Sequence, residues 1–145
     1  MLNLKNLQKN IVLAPYTTYK IGGKADYFFT ANNKSDLVEA LSCVKTENIP
    51  FFVLGGGSNI LVGDKGFRGL VIHNQAQNFK FEDNLLISES GAIISDLIDI
   101  SLKHCLSGLE RFAGIPGTVG GAIYQNIHFL SPDRTSTFYI ESIVK

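Results

Sequence analysis

The residues of this 145-residue chain best placed to do chemistry are glycines. Nine of its 14 glycines fall in three clusters: Gly22 and Gly23; Gly55, Gly56 and Gly57, followed by Ser58 and Asn59; and Gly114, Gly117, Gly120 and Gly121 around Ile115 and Pro116. A glycine lets the backbone come into contact with a ligand, and consecutive glycines after a strand can aim several N–H groups at one anion. A diphosphate is the natural guest of the second cluster, where Ser58 and Asn59 add an uncharged hydroxyl and amide. No lysine follows these glycines, which excludes a P-loop, and Ile60 stands where the usual dinucleotide fingerprint needs a glycine. The plainer alternative is a tight turn. The third cluster, Gly114-Ile115-Pro116-Gly117-Thr118-Val119-Gly120-Gly121-Ala122, carries no charge and little bulk. It is suited to lie flat against a large planar or extended ligand, stiffened by Pro116. Two such loops suit a long dinucleotide better than a small anion, with two unrelated turns as the alternative.

The other reactive side chains form no pattern of this kind. His73, His104 and His128 with Cys43 and Cys105 match no compact metal motif, so no metal site is expected. The two cysteines read as small buried hydrophobes within helices, in preference to a disulfide or redox pair. Glu110 and Arg111 read as a solvated pair, with a polar contact near the third cluster as the alternative.

Thirteen basic residues balance 13 acidic ones, and 45% of the chain is hydrophobic, 18% charged and 10% aromatic. This is the composition of a globular domain, and it excludes disorder, collagen and coiled coil. A neutral chain has no surplus field to draw in a phosphate backbone or an anionic membrane, so neither nucleic acid nor membrane is an expected partner. Met1 to Asn10 is a polar leader without the apolar core of a signal peptide, and no apolar run approaches the about 20 residues that a membrane helix needs. The expected compartment is the cytoplasm. At this size folding hides roughly 68–70% of the unfolded chain's surface, enough for stability without disulfides.

The elements that must position the glycines follow from periodicity. Ala25 to Thr30 reads as a strand, and a helix follows, capped by Ser35, with Asp36 and Glu39 in its first turns and Leu37, Leu41 and Val44 on one face. Asn48 and Pro50 stop it. Phe51 to Leu54 reads as a buried strand running into Gly55. Leu70 to His73 is another strand, and Phe79 to Phe81 with Leu85 to Ser88 form a hairpin turning at Asp83 and Asn84. Ser95 is the expected cap of a second helix, with Leu97, Ile98 and Leu102 apolar and Gly108 ending or following it. Phe138 to Val144 reads as a final strand, and a chain that stops there suggests part of something longer. The order of elements predicts an α+β fold.

Four segments, Pro15 to Asp26, Val53 to Val62, Gly108 to Glu110 and Ala113 to Ala122, together resemble the amino-terminal half of the UDP-N-acetylenolpyruvoylglucosamine reductase family. The resemblance covers Tyr16 to about Asn126, with its motifs in order. It implies a two-lobed FAD-binding domain of the vanillyl-alcohol-oxidase or PCMH type over residues 1–145, with lobes of about 1–74 and 75–145. It further implies that Gly55, Gly56, Gly57, Ser58 and Asn59 hold the FAD diphosphate. By the same resemblance Ile115, Pro116, Gly117, Thr118, Gly120 and Gly121 pass along the flavin side, and Gly91 and Ala92 add a backbone contact.

The family enzyme is an NADPH-dependent oxidoreductase that reduces a UDP-sugar enolpyruvyl group, giving UDP-N-acetylmuramate for peptidoglycan, hence for cell-wall biogenesis, cell shape and division. The serine, glutamate and arginine of the family that serve catalysis would lie beyond Lys145, so no catalytic residue is expected in this chain, the substrate-binding domain is absent from it, and NADPH and the UDP-sugar would require that domain. His128 and Phe129 stand where the family has small residues. They favour the alternative, a non-catalytic flavin-binding or flavin-free remnant or binding module of the same fold.

Overall fold

The computed structural model describes residues 2–144. Its centre is a four-stranded sheet in the order β1-β2-β4-β3, built from β1 (Gln8–Val12), β2 (Lys24–Ala31), β3 (Phe51–Leu54) and β4 (Phe67–Asn74). β4 runs parallel to both β2 and β3, while β1 is antiparallel to β2. Helix α1 (Lys34–Thr46) makes the crossover from β2 to β3 that a parallel arrangement requires. Its cap is Asn33, whose side chain accepts the Asp36 amide at 2.9 Å, so the helix begins before Ser35, the cap expected from sequence.

Each face of the sheet has its own core. Phe29, Ala31, Leu70 and Ile72 pack with Ala40 and Val44 of α1 and with Leu2 and Leu4 of the amino-terminal segment. Ala25, Phe28, Leu54 and Val71 pack with Leu13 on the other face. A register shift between Ala25 and Tyr27 brings Ala25 and Phe28, three residues apart, onto one side despite the two-residue period of a strand.

Two expectations fail here for the same reason, position in the sheet. The polar leader contains β1, an edge strand whose Gln8, Lys9 and Asn10 face solvent. The apolar run Phe51 to Val53 is not buried: its residues are 39–42% exposed and only Leu54 is enclosed, because β3 occupies the other edge and β4 the interior.

The remaining chain forms the hairpin β5 (Phe79–Glu82) and β6 (Leu85–Ser88), helix α2 (Ile94–Lys103), helix α3 (Val119–Gln125) and the hairpin β7 (His128–Leu130) and β8 (Thr137–Tyr139). The first hairpin turns at Asp83 and Asn84, as its sequence predicts. A third core unites Ile94, Ile98, Phe112, Ala122 and Ile140. Three local expectations give way to it. Helix α2 has no side-chain cap, since its start is set by a bridge between Ile93 and Thr118, and Ser95 lies inside the first turn. Leu102 is half exposed, on the side of α2 away from this core. The final strand is only three residues long, because the chain then turns into a 3-10 helix (Ile140–Ser142) that delivers Ile140 inward. Cys43 is half-buried in α1, whereas Cys105 is exposed beyond the end of α2 with φ 58°, so it is neither helical nor a core residue. Among the described residues no helix is long and apolar enough to cross a membrane.

Candidate functional site

The second glycine cluster begins where β3 ends. Leu54 pairs with His73 of β4, so Gly55 leaves the sheet beside the carboxyl ends of two parallel strands, the position where open parallel sheets bind ligands. The loop is held from two sides. On one, the Thr18 amide donates to the Gly57 carbonyl at 3.0 Å. Gly57 has φ 67°, and a Cβ there would collide with the Tyr16 carbonyl oxygen, so only glycine fits. On the other, the Ser58 hydroxyl donates to the Pro116 carbonyl at 3.1 Å, and a Cβ on Gly55 would come within 2.5 Å of the Thr118 hydroxyl. The second and third clusters, 58 residues apart in sequence at Ser58 and Pro116, are therefore in contact.

Gly56 differs from its neighbours. Its nearest atoms to a Cβ would be Gly117 Cα at 3.8 Å and Thr118 Cγ2 at 4.0 Å, which is ordinary contact. The protein's own packing leaves room for a side chain there, and the backbone instead faces an open cavity. That cavity, of about 390 Å³, lies between Pro15–Thr18, Gly55, Gly56 and the end of β4 at His73 and Gln75, with Lys20 at its wall. A smaller hollow of about 190 Å³ on the Leu13, Phe52 and Phe67 side has no polar side chain and offers nothing to orient a ligand.

The backbone donors divide the expected site residues into two groups. The amides of Gly55, Gly56, Gly57, Ser58, Asn59, Gly117 and Thr118 donate to no acceptor among the described residues, and the Asn59 side chain also has no protein partner there. By contrast, the amide of Gly120 donates to Ser90 O at 2.7 Å, Gly121 to the Thr118 hydroxyl, Ile115 to Phe112 O, Gly91 to Ala76 O and Ala92 to Glu89 O. Gly91 is also packed too tightly for a side chain, with Ala76 backbone atoms at 2.7 Å from a would-be Cβ. The third cluster is not flat along its whole length: after Thr118, which caps it, the chain becomes α3, and Gly120 and Gly121 form its first turn. The Ser58 hydroxyl gives its hydrogen to Pro116, which leaves its amide as the donor for an anion.

A run of unengaged amides can surround an oxyanion without charge, each N–H group replacing a water, and the first two of this run, Gly55 and Gly56, stand at the cavity. Lys20 adds a cation at the wall, its ammonium resting on the Pro15 carbonyl at 3.1 Å. His73 is half-buried between the rings of Tyr16 and Phe28, at 5.2 and 5.8 Å, and burial pushes its pKa down. Lys20, His73 and Gln75 were not expected as cavity residues; the signal available for the latter two is their place at the end of the strand beside Gly55. The side chains of Glu110 and Arg111 part company. The carboxylate accepts from the Gly108 amide, and hydrogen bonds from its own and the Gly108 amide hold its pKa down, while Arg111 stacks on Phe138 at 4.0 Å. His128 and Phe129 lie on β7, where His128 meets Tyr139, and neither lines the cavity. Among the described residues no group of three or more His, Cys, Asp or Glu is arranged to hold a metal.

Known proteins are similar to this chain in sequence and fold. The chain is 42% identical over 127 residues to the UDP-N-acetylenolpyruvoylglucosamine reductase of Clostridium novyi, covering 87% of this chain and 41% of that one. It is 44% identical over 126 residues to the reductase of the same name from Caldicellulosiruptor saccharolyticus, covering 86% and 40%. The crystal structure of UDP-N-acetylenolpyruvylglucosamine reductase from Thermus caldophilus superposes with a TM-score of 0.65 at 32% identity, over 81% of this chain and 41% of that one. The chain thus spans about 40% of the length of these relatives. Residues 25–134, which include Gly55, Gly56, His73 and Gln75 of the cavity wall and the loop around Pro116, match the model of the FAD binding domain, and the chain belongs to that family.

Proposed function

We propose that this chain is the FAD-binding part of a UDP-N-acetylenolpyruvoylglucosamine reductase, acting with NADPH on the UDP-sugar to form UDP-N-acetylmuramate, a peptidoglycan precursor. The observation that carries the reading is the row of unengaged amides from Gly55 to Asn59, which begins at an open cavity lined by Gly55 and Gly56 and lies in contact with the loop that holds the unengaged amides of Gly117 and Thr118. FAD is the cofactor of the family, and the donor set suits it. An uncharged diphosphate cradle is what the amides can form, and the Gly117 and Thr118 side is free of bulk, as a flat ring system needs.

In this reading Gly55 to Asn59 hold the diphosphate, with Lys20 balancing part of its charge. Gly117 and Thr118 approach the flavin side. Gly120, Gly121, Gly91 and Ala92 act through backbone bonds that keep the loops in place. The first two cores would belong to one lobe, residues 1 to about 74, and the third to another, from about 75, with the cofactor between them. When bound, FAD supplies two-electron hydride chemistry. The residues of this chain supply its placement and exclude water from the diphosphate. The substrate and NADPH would need the part of the relatives that this chain does not span. We place the reaction in the cytoplasm, since NADPH and a UDP-sugar are charged nucleotides that do not cross a bilayer unaided.

Titration of the 145-residue chain with FAD, followed by flavin fluorescence and absorbance, tests this directly. Saturable binding is expected, and the same preparation is expected not to oxidise NADPH with the UDP-sugar at an enzymatic rate. No binding at high FAD concentration would overturn the cofactor assignment, and turnover by this chain alone would overturn the assignment of catalysis to the missing part.

A further inference from the structure

We propose that Asn74 and Ser90 are positioning residues which set the spacing between the Gly114–Gly121 loop and the Gly55–Asn59 loop, and through it the affinity for FAD. The proposal rests on the reading of these loops as the cofactor cradle.

Asn74 is the last residue of β4 and only 6% exposed. It directly follows His73, the partner of Leu54, so its backbone is fixed to the same register that launches Gly55. Sheet burial alone would be served by an apolar side chain, as at Leu70 and Ile72 in the same strand. An amide brings direction. Its Oδ1 accepts from the Ala76 amide at 3.2 Å, which turns Nδ2 toward Ser90, where it donates to Oγ at 2.8 Å. The Ser90 carbonyl in turn accepts the Gly120 amide at 2.7 Å. A Cβ on Gly120 would stand 3.0 Å from that oxygen, so the approach is as close as backbones allow.

The circuit closes on itself. Ile94 N donates to Gly117 O at 3.1 Å and Val119 N to Ala92 O at 2.9 Å, so the segment after Ser90 holds the segment around Thr118. Thr118 lies against Gly55, and Ser58 is latched to Pro116. From β4 through Asn74, Ser90 and Gly120 to Thr118, and from Thr118 through Gly55 and β3 back to β4, each link is a hydrogen bond, a close contact or a strand pairing. A buried amide paired with a half-buried hydroxyl holds one geometry where apolar packing would tolerate several. The Asn74 side chain makes no hydrogen bond to either glycine loop among the described residues, so its effect on them passes through Ser90.

The test uses the 145-residue chain as wild type, Asn74→Leu and Ser90→Ala, with Glu89→Gln as a control. The Glu89 side chain accepts hydrogen bonds of similar length next door, from the Lys34 and Asn78 amides, and lies outside the circuit, while the substitution leaves in place its backbone carbonyl, the acceptor of the Ala92 amide. Amide hydrogen exchange at Gly120 and Val119, both hydrogen-bonded, read by NMR without FAD, reports the loop, and FAD titration with visible circular dichroism of the bound flavin reports the cradle. In both circuit variants Gly120 is expected to exchange faster, FAD affinity to fall about tenfold, the scale of one neutral hydrogen bond, and the flavin dichroism to change. The Glu89→Gln chain is expected to match wild type in all three. Unchanged Gly120 exchange, faster exchange with unchanged affinity, or an equal loss in Glu89→Gln would each overturn the proposal. If Asn74→Leu does not fold, Ser90→Ala, which removes one hydroxyl, decides. If wild type binds no FAD the cradle reading falls, and Gly120 exchange still decides whether Asn74 and Ser90 space the loops.

Discussion

The loop after β3 and the loop before α3 are similar in composition, Gly-Gly-Gly-Ser-Asn against Gly-Ile-Pro-Gly-Thr, and opposite in how their backbones are used. From Gly55 to Asn59 no amide is engaged within the described chain, whereas Ile115, Val119, Gly120 and Gly121 all donate to neighbouring carbonyl or hydroxyl groups. Among the described residues Gly114, Gly117 and Thr118 in the later loop keep their amides unengaged. A run of glycines therefore answers two different needs. In the first loop it leaves donors open, those of Gly55 and Gly56 at a cavity, and in the second it lets two stretches of backbone pack at hydrogen-bonding distance. The first loop also contains the contrast within itself: Gly57 is glycine because the protein has no room, and Gly56 is glycine although the protein has room.

The largest effect expected from this contrast is at Gly57. Gly57→Ala places a methyl group against the Tyr16 carbonyl and forces a side chain into φ 67°, so the segment Tyr16 to Thr18 must move away. Urea unfolding is expected to show a loss of about 3 kcal/mol, from left-handed strain and overpacking together. A loss below about 1 kcal/mol would mean that the Thr18–Gly57 contact does not hold the loop, and the distinction between closed and open glycines would fail. Gly56 is the complementary case. Gly56→Val should leave stability within about 1 kcal/mol of wild type, as for a surface position without strain, while FAD affinity drops roughly thirtyfold, about 2 kcal/mol. A variant that keeps its FAD affinity would sever Gly56 from the cofactor, and one that loses stability to the same degree as Gly57→Ala would make both glycines structural.

The same contrast explains what was legible in the sequence. β2, α1, β4 and the β5–β6 hairpin were readable because their apolar periods and turn residues act locally. The glycine clusters were readable as sites of close backbone approach. Which amides stay open was not, since that depends on Ser90, Ala76, Glu89 and Ala92, carbonyls and hydroxyls brought up from elsewhere in the chain. β1 escaped notice because an edge strand facing solvent carries polar residues, and β3 looked interior because its neighbours in the sheet are not its neighbours in sequence. α3 was hidden by Gly120 and Gly121, poor helix formers that are nonetheless in the first turn because Thr118 caps it and Ser90 accepts from Gly120. The cap at Asn33 instead of Ser35 is a subtler case, two competent residues two positions apart, decided by the Asp36 amide.

The smallest expected effect is electrostatic and falls on the cavity wall beside Gly55 and Gly56. His73 sits between Tyr16 and Phe28 at the end of β4, and burial lowers its pKa, so the folded chain binds its proton less readily than the unfolded chain does. For a histidine depressed in this way the unfolded state holds more protons between the two pKa values, and stability rises with pH across that interval. Above the ordinary histidine value of about 6.5 both states are neutral and His73 contributes no pH dependence. As pH falls through 6.5 the unfolded chain protonates first, and the fold loses stability until its own lowered value is reached. Urea midpoints measured at pH 7.5 and 5.5 are therefore expected to fall on acidification, with a smaller fall in His73→Gln, which keeps a polar side chain of similar reach and cannot titrate. Equal slopes in the two chains would show that the imidazole is as well solvated folded as unfolded. The cavity beside Gly55 would then be wetter than its two aromatic neighbours imply, and the open loop would have to hold an anion against competing water with its amides and Lys20 alone.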